Sequence, residues 1–504
     1  MLKYKIAVIG LDGLGWNLVN KFLERGFMSF LKSRLSKRAI YGKIISPITP
    51  DTPPAWVSLS TGVNPGIHGV PQGCFFYREK MRMVSSLDVE YPRIHHMLAL
   101  LGIRSLIFNM YLTYPPLRSN YITMLVDRFS PKTMIVPSDY SRLLNNYISY
   151  NAPGQWPKTS NGLIDYDCYL ESLKDGLESR VYTLLTLMDS TEWNLVWAEF
   201  HEPDLILHMM YNYVMSKMNR HLAKIFMIID KLIKEIYHRV NTVIIISDHG
   251  FAEYKYRINV ARILYELGLF RVNLNKLDCL YRTLRKMLIE TFSCNYYLSK
   301  LASKILTLHR MEDNPPSTLS KYVLTNSIAF VHPCNIRGIV VRSQNKLDKI
   351  IKILSNIRGL SKVAKREEIY HGPYVRRAPD ILIFPKYDLG YTLSNQHTYT
   401  DFRLIMKGRF YDHHPEGLFI AFGDSIVCTA NNIVVSHYDI VPTILYSMGL
   451  PLPHMTDGRV IREIIFGTGT RKAKIKYKDY LTPYKLTKNV EKLRYKAKKV
   501  KKKC

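Results

Sequence analysis

Three segments share one form, an apolar run that closes on polar residues: Ile6-Ala-Val-Ile-Gly-Leu-Asp12, Leu195-Val-Trp-Ala-Glu-Phe-His201 and Val243-Ile-Ile-Ile-Ser-Asp-His249. Short apolar runs without alternation predict strands buried on both faces of a sheet. Helical stretches separate them, as at Tyr182 to Asp189 and Leu222 to Val240. Strand and helix in alternation predict an α/β fold with a largely parallel sheet covered on both sides. Ligands of such sheets bind beyond the carboxyl ends of the strands, which gathers Asp12, His201 to Asp204, and Asp248-His249 on one edge.

The texture changes after Phe251. A basic, irregular stretch from Arg257 to Tyr370, with helical segments around Lys276 to Lys304 and a Pro315-Pro316 break, reads as an inserted cap. Apolar strand character returns at Ala378 to Phe384 and at Gly417 to Phe422, followed by a helix from Ile440 to Met448. We therefore expect a core over residues 1–256 and 371–468, an inserted subdomain over 257–370 and a basic tail over 469–504. No internal repeat is visible.

A chain of 504 residues, 47% hydrophobic and 22% charged, is long enough for one large domain with an insertion, so disorder is not the default. The first strand pattern follows Met1 at once, without the charged, apolar and small-residue regions of a secretory signal. No apolar window approaches about 18 residues, so no membrane span is expected and the location expected is cytoplasmic. Cys74, Cys168, Cys279, Cys294, Cys334, Cys428 and Cys504 are scattered and odd in number, without a C-x-x-C pair. They read as free thiols in a reducing compartment. The formal net charge of +30 concentrates anions such as nucleotides, nucleic acid or acidic lipid head groups. Much of it lies between Arg471 and Cys504, where many lysines face only Asp479 and Glu491. That tail reads either as a tether to nucleic acid or membrane, or as a solvated, partly helical segment.

Candidate chemistry clusters where strands end. In Thr49-Pro-Asp-Thr52-Pro-Pro-Ala-Trp, Thr52 reads as an N-cap with Pro53 at the first helical position. A plain capped helix explains this, yet a helix N-terminus also offers N–H groups to a phosphoryl group that a hydroxyl attacks. Asp204 and His208 stand four residues apart and share one face of a helix, as two ligands of one ion must. A carboxylate and an imidazole suit zinc, manganese or a similar divalent ion. Asp12-Gly13, Asp248-His249-Gly250 and Asp412-His413-His414 offer further ligands, with Gly250 permitting a turn that brings its two polar neighbours to one side. Taken singly, each motif has an ordinary structural reading as a turn, a cap or a surface ion pair.

As an ordered set, Asp12-Gly, Thr52-Pro-Pro-Ala-Trp with Thr61-Gly62 and His68-Gly69, Glu202-Pro-Asp204 with His208, Ser247-Asp-His-Gly-Phe251 and His413 with Pro-Glu-Gly resemble the type I phosphodiesterase and nucleotide pyrophosphatase family. The resemblance spans residues 5 to 465, with echoes in His371-Gly-Pro-Tyr, Ala378-Pro-Asp-Ile, Asp439-Ile-Val-Pro-Thr and Asp457-Gly-Arg. It implies an alkaline-phosphatase-like three-layer α/β/α core and a hydrolase of phosphate esters such as nucleotides. It also implies two divalent ions, zinc first with manganese or magnesium as alternatives. Asp204, His208 and His413 would hold one, and Asp12, Asp248 and His249 the other together with Thr52. Thr52 would then attack phosphorus in line, and a metal-activated water would hydrolyse the phospho-threonine with net retention. Two positions depart from the family pattern: Ala55 stands where members that cleave nucleotide diesters often carry asparagine, and Gln72 is a weak substitute for a phosphate-holding amide. A phosphomonoesterase with the same metal set is the nearest alternative reading. From another class, a non-catalytic nucleic-acid-binding protein would use the basic surface and tail.

Overall fold

The computed structural model describes residues 4–501 except 47–48, 78–79, 129, 152–158, 161–162, 218–219, 272–326, 395–400, 402, 425, 427–429 and 463–474. A nine-stranded sheet forms its centre, in the order Ala430–Ser436, Ala39–Ile45, Glu416–Phe422, Thr242–Ile246, Ile6–Leu11, Leu195–Phe200, Ser105–Phe108, Ile122–Leu125 and Ile135–Val136. The sheet is mostly parallel. Glu416–Phe422 runs antiparallel to both neighbours, and Ile135–Val136 is an antiparallel edge.

The three apolar runs are adjacent central strands, with Ile6–Leu11 in the middle. Side chains alternate across a strand, so Ala7, Ile9 and Leu11 enter one core while Ile6 and Val8 enter the other. The first core is covered by Trp16–Glu24, Ser29–Leu35, Tyr166–Ser190 and Arg220–Tyr237, and the second by Thr52–Thr61, Ile94–Ala99 and Ile440–Ser447. Two-sided burial explains why these strands show no polar alternation. Each fully buried aliphatic side chain contributes about 1.5–3 kcal/mol, so a charge introduced at Val8 or Ile9 would break the centre of the sheet.

A smaller antiparallel sheet, ordered Ala329–His332, Asn335–Val341, Ile381–Pro385 and Leu360–Lys365, has its own apolar core with Leu347–Ser355 and Val260–Glu266. The strand expected to return the chain to the main sheet near Ala378 does form, at Ile381–Pro385, but it pairs within this smaller sheet. Its apolar run is buried there as fully as it would be in the main sheet, so the pattern alone does not separate the two destinations. The main sheet is rejoined at Glu416–Phe422. Between the two sheets, Gly250–Ile258 pairs with Ile405–His414 and with Tyr391–Leu393. The helical segments expected around residues 276–304 and the break at 315–316 lie outside the described residues.

The structure corrects the expectation of free thiols throughout. Cys74 and Cys334 form a disulfide across 260 residues, joining the Cys74–Tyr77 hairpin strand to the turn between Ala329–His332 and Asn335–Val341. Spacing gave no hint of it, because the smaller sheet must fold back on the main body before the two sulfurs meet. Cys168 is free and exposed. Among the described residues, no helix is long and apolar enough to cross a membrane.

Candidate active site

Strand register builds the site. Leu11 pairs with Phe200, and the Asp12 N–H continues the ladder to the Phe200 carbonyl at 3.0 Å, so Asp12 and His201 leave the sheet side by side. Gly13 then turns with φ of +72°, and a Cβ there would lie 3.0 Å from Asp204 Oδ1. Only glycine accepts both the turn and that approach. The Gly13 N–H also donates to Asp248 Oδ1 at 3.2 Å. Gly250 acts differently from expectation: its φ is not positive, and a Cβ would stand 2.2 Å from the Glu416 carbonyl. Glycine is required there for close strand approach.

Asp204 and His208 lie in the first turns of Glu202–Lys217, ahead of a break at Met210, on one face as the spacing predicts. Thr52 is the first residue of Thr52–Thr61, so the N-cap is Asp51 and the expected cap is shifted by one residue. The Asp51 side chain makes no capping bond because Arg337 Nη1 holds its carboxylate at 3.0 Å. His413 comes from the Ile405–His414 strand, whose pairing places it opposite Phe251.

These elements bring seven expected residues together. The Nε2 atoms of His208 and His413 are 2.9 Å apart, and they lie 3.4 and 3.6 Å from Asp204 Oδ1. His249 Nε2 lies 3.3 Å from Asp248 Oδ2, 3.8 Å from Asp12 Oδ1 and 3.4 Å from Thr52 Oγ1. Ligand atoms of Asp204, His249 and His413 fall within 4.8 Å of one another, as do those of Asp12, Asp248 and His249. His249 therefore stands between two neighbouring ligand groups.

The donor set fits divalent cations. Asp12 Oδ1, Asp204 Oδ1 and Asp248 Oδ2 are buried without a hydrogen-bond partner, and all three face the imidazole nitrogens named above. Such orphaned oxygens are costly unless a ligand satisfies them. Two of the rings are oriented to suit a cation. His413 Nδ1 bonds the Pro50 carbonyl at 2.6 Å and His249 Nδ1 the Gly250 carbonyl at 3.0 Å, leaving both Nε2 atoms for coordination. Burial and the neighbouring Asp12 push the Asp248 carboxyl well up. Burial likewise raises Asp204, although His208 opposes it. Burial also works to raise Asp12, but the His201 hydrogen bond and charge overcome it and hold the group low. His249 is pushed well down by burial and by His413. Crowded carboxyls and neutral imidazoles would both relax beside a cation.

Two groups position the site: His201, which the sequence placed on this edge without a role, and Arg337, which it did not single out. His201 Nδ1 bonds Asp12 Oδ2 at 2.6 Å, while its backbone N–H donates to Tyr150 Oη at 3.1 Å. Tyr150 in turn donates to Glu202 Oε2 at 2.9 Å, and Glu202 Oε1 receives Arg180 Nε at 2.8 Å. The only signal was that His201 closes an apolar run. Arg337, 1% exposed, comes from the smaller sheet. It reaches Asp51 beside Thr52, lies 3.7 Å from Asp412 beside His413, and donates to Tyr387 Oη at 2.7 Å. Nothing in its local sequence marks it. Gln72 is buried and donates to the Arg377 carbonyl at 2.8 Å, so its amide nitrogen is engaged with the chain.

A largely parallel α/β/α sandwich, with carboxylates and imidazoles massed at the carboxyl edge of its central strands, defines the alkaline-phosphatase-like class of fold. The chain belongs to the family described as type I phosphodiesterase / nucleotide pyrophosphatase, whose sequence pattern matches residues 6–403, and is a phosphoric ester hydrolase. No curated protein matches its sequence. Among solved structures, phosphonoacetate hydrolase from Sinorhizobium meliloti 1021 in complex with phosphonoformate is similar over 87% of this chain and 94% of that chain, with a TM-score of 0.53 and 14% identity. Murine ectonucleotide pyrophosphatase / phosphodiesterase 5, inactive and in complex with AMP, covers 90% of this chain and 98% of its own at a TM-score of 0.51 and 14% identity. The human counterpart gives 92%, 100%, 0.53 and 13%. At these identities the likeness is one of fold.

Proposed function

We propose that the protein hydrolyses phosphodiesters of the nucleotide type, with Thr52 as nucleophile and two divalent cations as cofactors. Asp204, His208 and His413 would hold one ion, and Asp12, Asp248, His249 and Thr52 the other, with zinc expected and manganese or magnesium as alternatives. The observation that carries the proposal is the meeting of three orphaned carboxylate oxygens with Nε2 atoms 3.4 Å or less from Asp204 Oδ1, Asp248 Oδ2 and Thr52 Oγ1. Bound cations would supply Lewis acidity, favouring the Thr52 alkoxide and neutralising charge on phosphoryl oxygens.

The chain's own groups do the rest. Thr52 Oγ1 gives up its proton to solvent and forms a bond to phosphorus while the ester oxygen opposite departs with the bonding pair and takes up a proton from solvent. Pro53 and Pro54 bring no N–H to the first turn of Thr52–Thr61 and the Ala55 N–H is held by the Asp51 carbonyl at 3.1 Å, so the helix meets charge developing on the phosphoryl group through its dipole. Water then cleaves the phospho-threonine ester, restoring the hydroxyl and releasing a phosphate monoester. The AMP complex of the murine relative supports a nucleotide as the class of substrate.

The test is hydrolysis of bis-p-nitrophenyl phosphate and p-nitrophenyl phosphate by metal-reconstituted protein, with Thr52→Ala in parallel. Diester cleavage should fall by about a thousandfold or more in the variant, while its metal content stays near that of the parent. Preference for the monoester would turn the assignment to a phosphatase. Equal rates in parent and variant would remove Thr52 from the mechanism.

A further inference from the structure

We infer that the helix Leu481–Lys501 is a docking face for the surface of an anionic lipid bilayer, separate from the hydrolase site. One side of this helix is fastened to the body of the protein. Tyr484 Oη and Lys488 Nζ both donate to the Val89 carbonyl, at 3.0 and 2.7 Å, Lys488 also meets Glu90, and the Tyr484 ring packs on His96. Lys488 is 1% exposed. The segment is thus docked structure over much of its length, where the sequence left open a tether or a solvated, partly helical segment.

The opposite side carries apolar residues that stand exposed among the described residues. Leu486, Val490 and Leu493 are 66, 49 and 67% exposed, and Ala497 continues the row. Steps of four, three and four residues keep them on one stripe, about 180–240° around the helix from Tyr484. Leucines at two such positions are unfavourable in water unless a partner takes them up. Lys485, Arg494 and Lys496 border the stripe and are exposed.

The charges select the occupant. A four-three repeat would also suit a second copy of the helix, but two of the flanking positions that set pairing in a coiled coil, Arg494 and Lys496, would then bring like charges to the seam. Nucleic acid would satisfy the lysines and leave the leucines in water. An anionic bilayer surface meets both, since acidic head groups pair with the basic margins and the acyl boundary accepts the apolar stripe. The helix is not apolar enough to span, so it would lie in the interface. The net charge of +30 adds a long-range attraction in the same direction.

The experiment is flotation of the full chain with vesicles of phosphatidylcholine alone and with phosphatidylcholine containing phosphatidylglycerol. The parent should float with the anionic vesicles and remain behind with the neutral ones. Replacing Leu486, Val490 and Leu493 by serine should weaken anionic binding at least tenfold while leaving the thermal midpoint near that of the parent. Leu493→Trp gives a second readout that spares the other positions, and its emission should shift to the blue on anionic vesicles. Unchanged binding of the triple-serine protein, or an unmoved tryptophan spectrum, would overturn the proposal. So would tighter binding to duplex DNA that is indifferent to the serines, or a dimer that the serines dissociate.

Discussion

His201 carries the instructive lesson at the scale of single residues. It touches none of the proposed ligand atoms except through Asp12, yet its 2.6 Å bond fixes which Asp12 oxygen is left to face His249. Outer partners of this kind commonly change metal affinity by about 10–100-fold when removed. His201→Ala should therefore retain the fold and require about that much more free zinc to reach half-occupancy in a competition titration. Unchanged affinity would show that Asp12 needs no such support. Asp204→Asn should lose one metal ion per chain by elemental analysis, and retention of both would remove Asp204 from the ligand set. The candidate ligands were legible because each sits within a short motif at an element's end, where glycine, proline or helical spacing gives it a recognisable setting. The place of His201 on the edge was legible, but its bond to Asp12 and the reach of Arg337 were not, because their partners lie 189 and 286 residues away and no local pattern encodes them.

Among elements, the smaller sheet is best seen as a brace on the Thr52 segment. Arg337 projects from Asn335–Val341 to Asp51 and towards Asp412, the residues preceding Thr52 and His413, and Cys334 ties the same region to Cys74. Arg337→Leu would leave the Asp51 carboxylate without its cation, a change that costs about 3–5 kcal/mol when a buried pair loses one member. The variant should unfold at lower denaturant, and its kcat should drop about 10–100-fold with little change in KM, as misplacement of reacting groups does. A fall in stability with kcat intact would make Arg337 a structural residue only. The strands of the main sheet were readable from their apolar runs. The destination of Ile381–Pro385 was not, since burial in either sheet calls for the same side chains, and pairing is settled by contacts distant in sequence.

For the whole molecule, buried histidines link stability to acidity. Burial holds His332 at about 4 and His96 at about 3, and pushes His68 and His95 well below their ordinary range. The unfolded chain takes up protons at these sites near pH 6.5 and the native state does not, so their contribution is full above that value and is lost as pH falls towards 4. One pH unit below 6.5, each such histidine costs about 1.4 kcal/mol. The thermal midpoint should therefore fall steeply between pH 7 and 5.5, and a flat profile would show that these rings charge without unfolding. The overall α/β plan was legible because alternation of apolar strands and amphipathic helices is a whole-chain signal. The disulfide and the two-faced basic helix were not, because both depend on which surfaces the finished fold brings together.

The central claim, a threonine that carries the phosphoryl group between substrate and water, is tested most directly by the stereochemical course at phosphorus. A P-chiral nucleotide phosphorothioate ester would be hydrolysed by the metal-loaded protein in ¹⁸O-labelled water and the configuration of the product read by ³¹P NMR. Two successive in-line displacements at Thr52 predict net retention. Net inversion would mean that water attacks the substrate itself and would contradict the account.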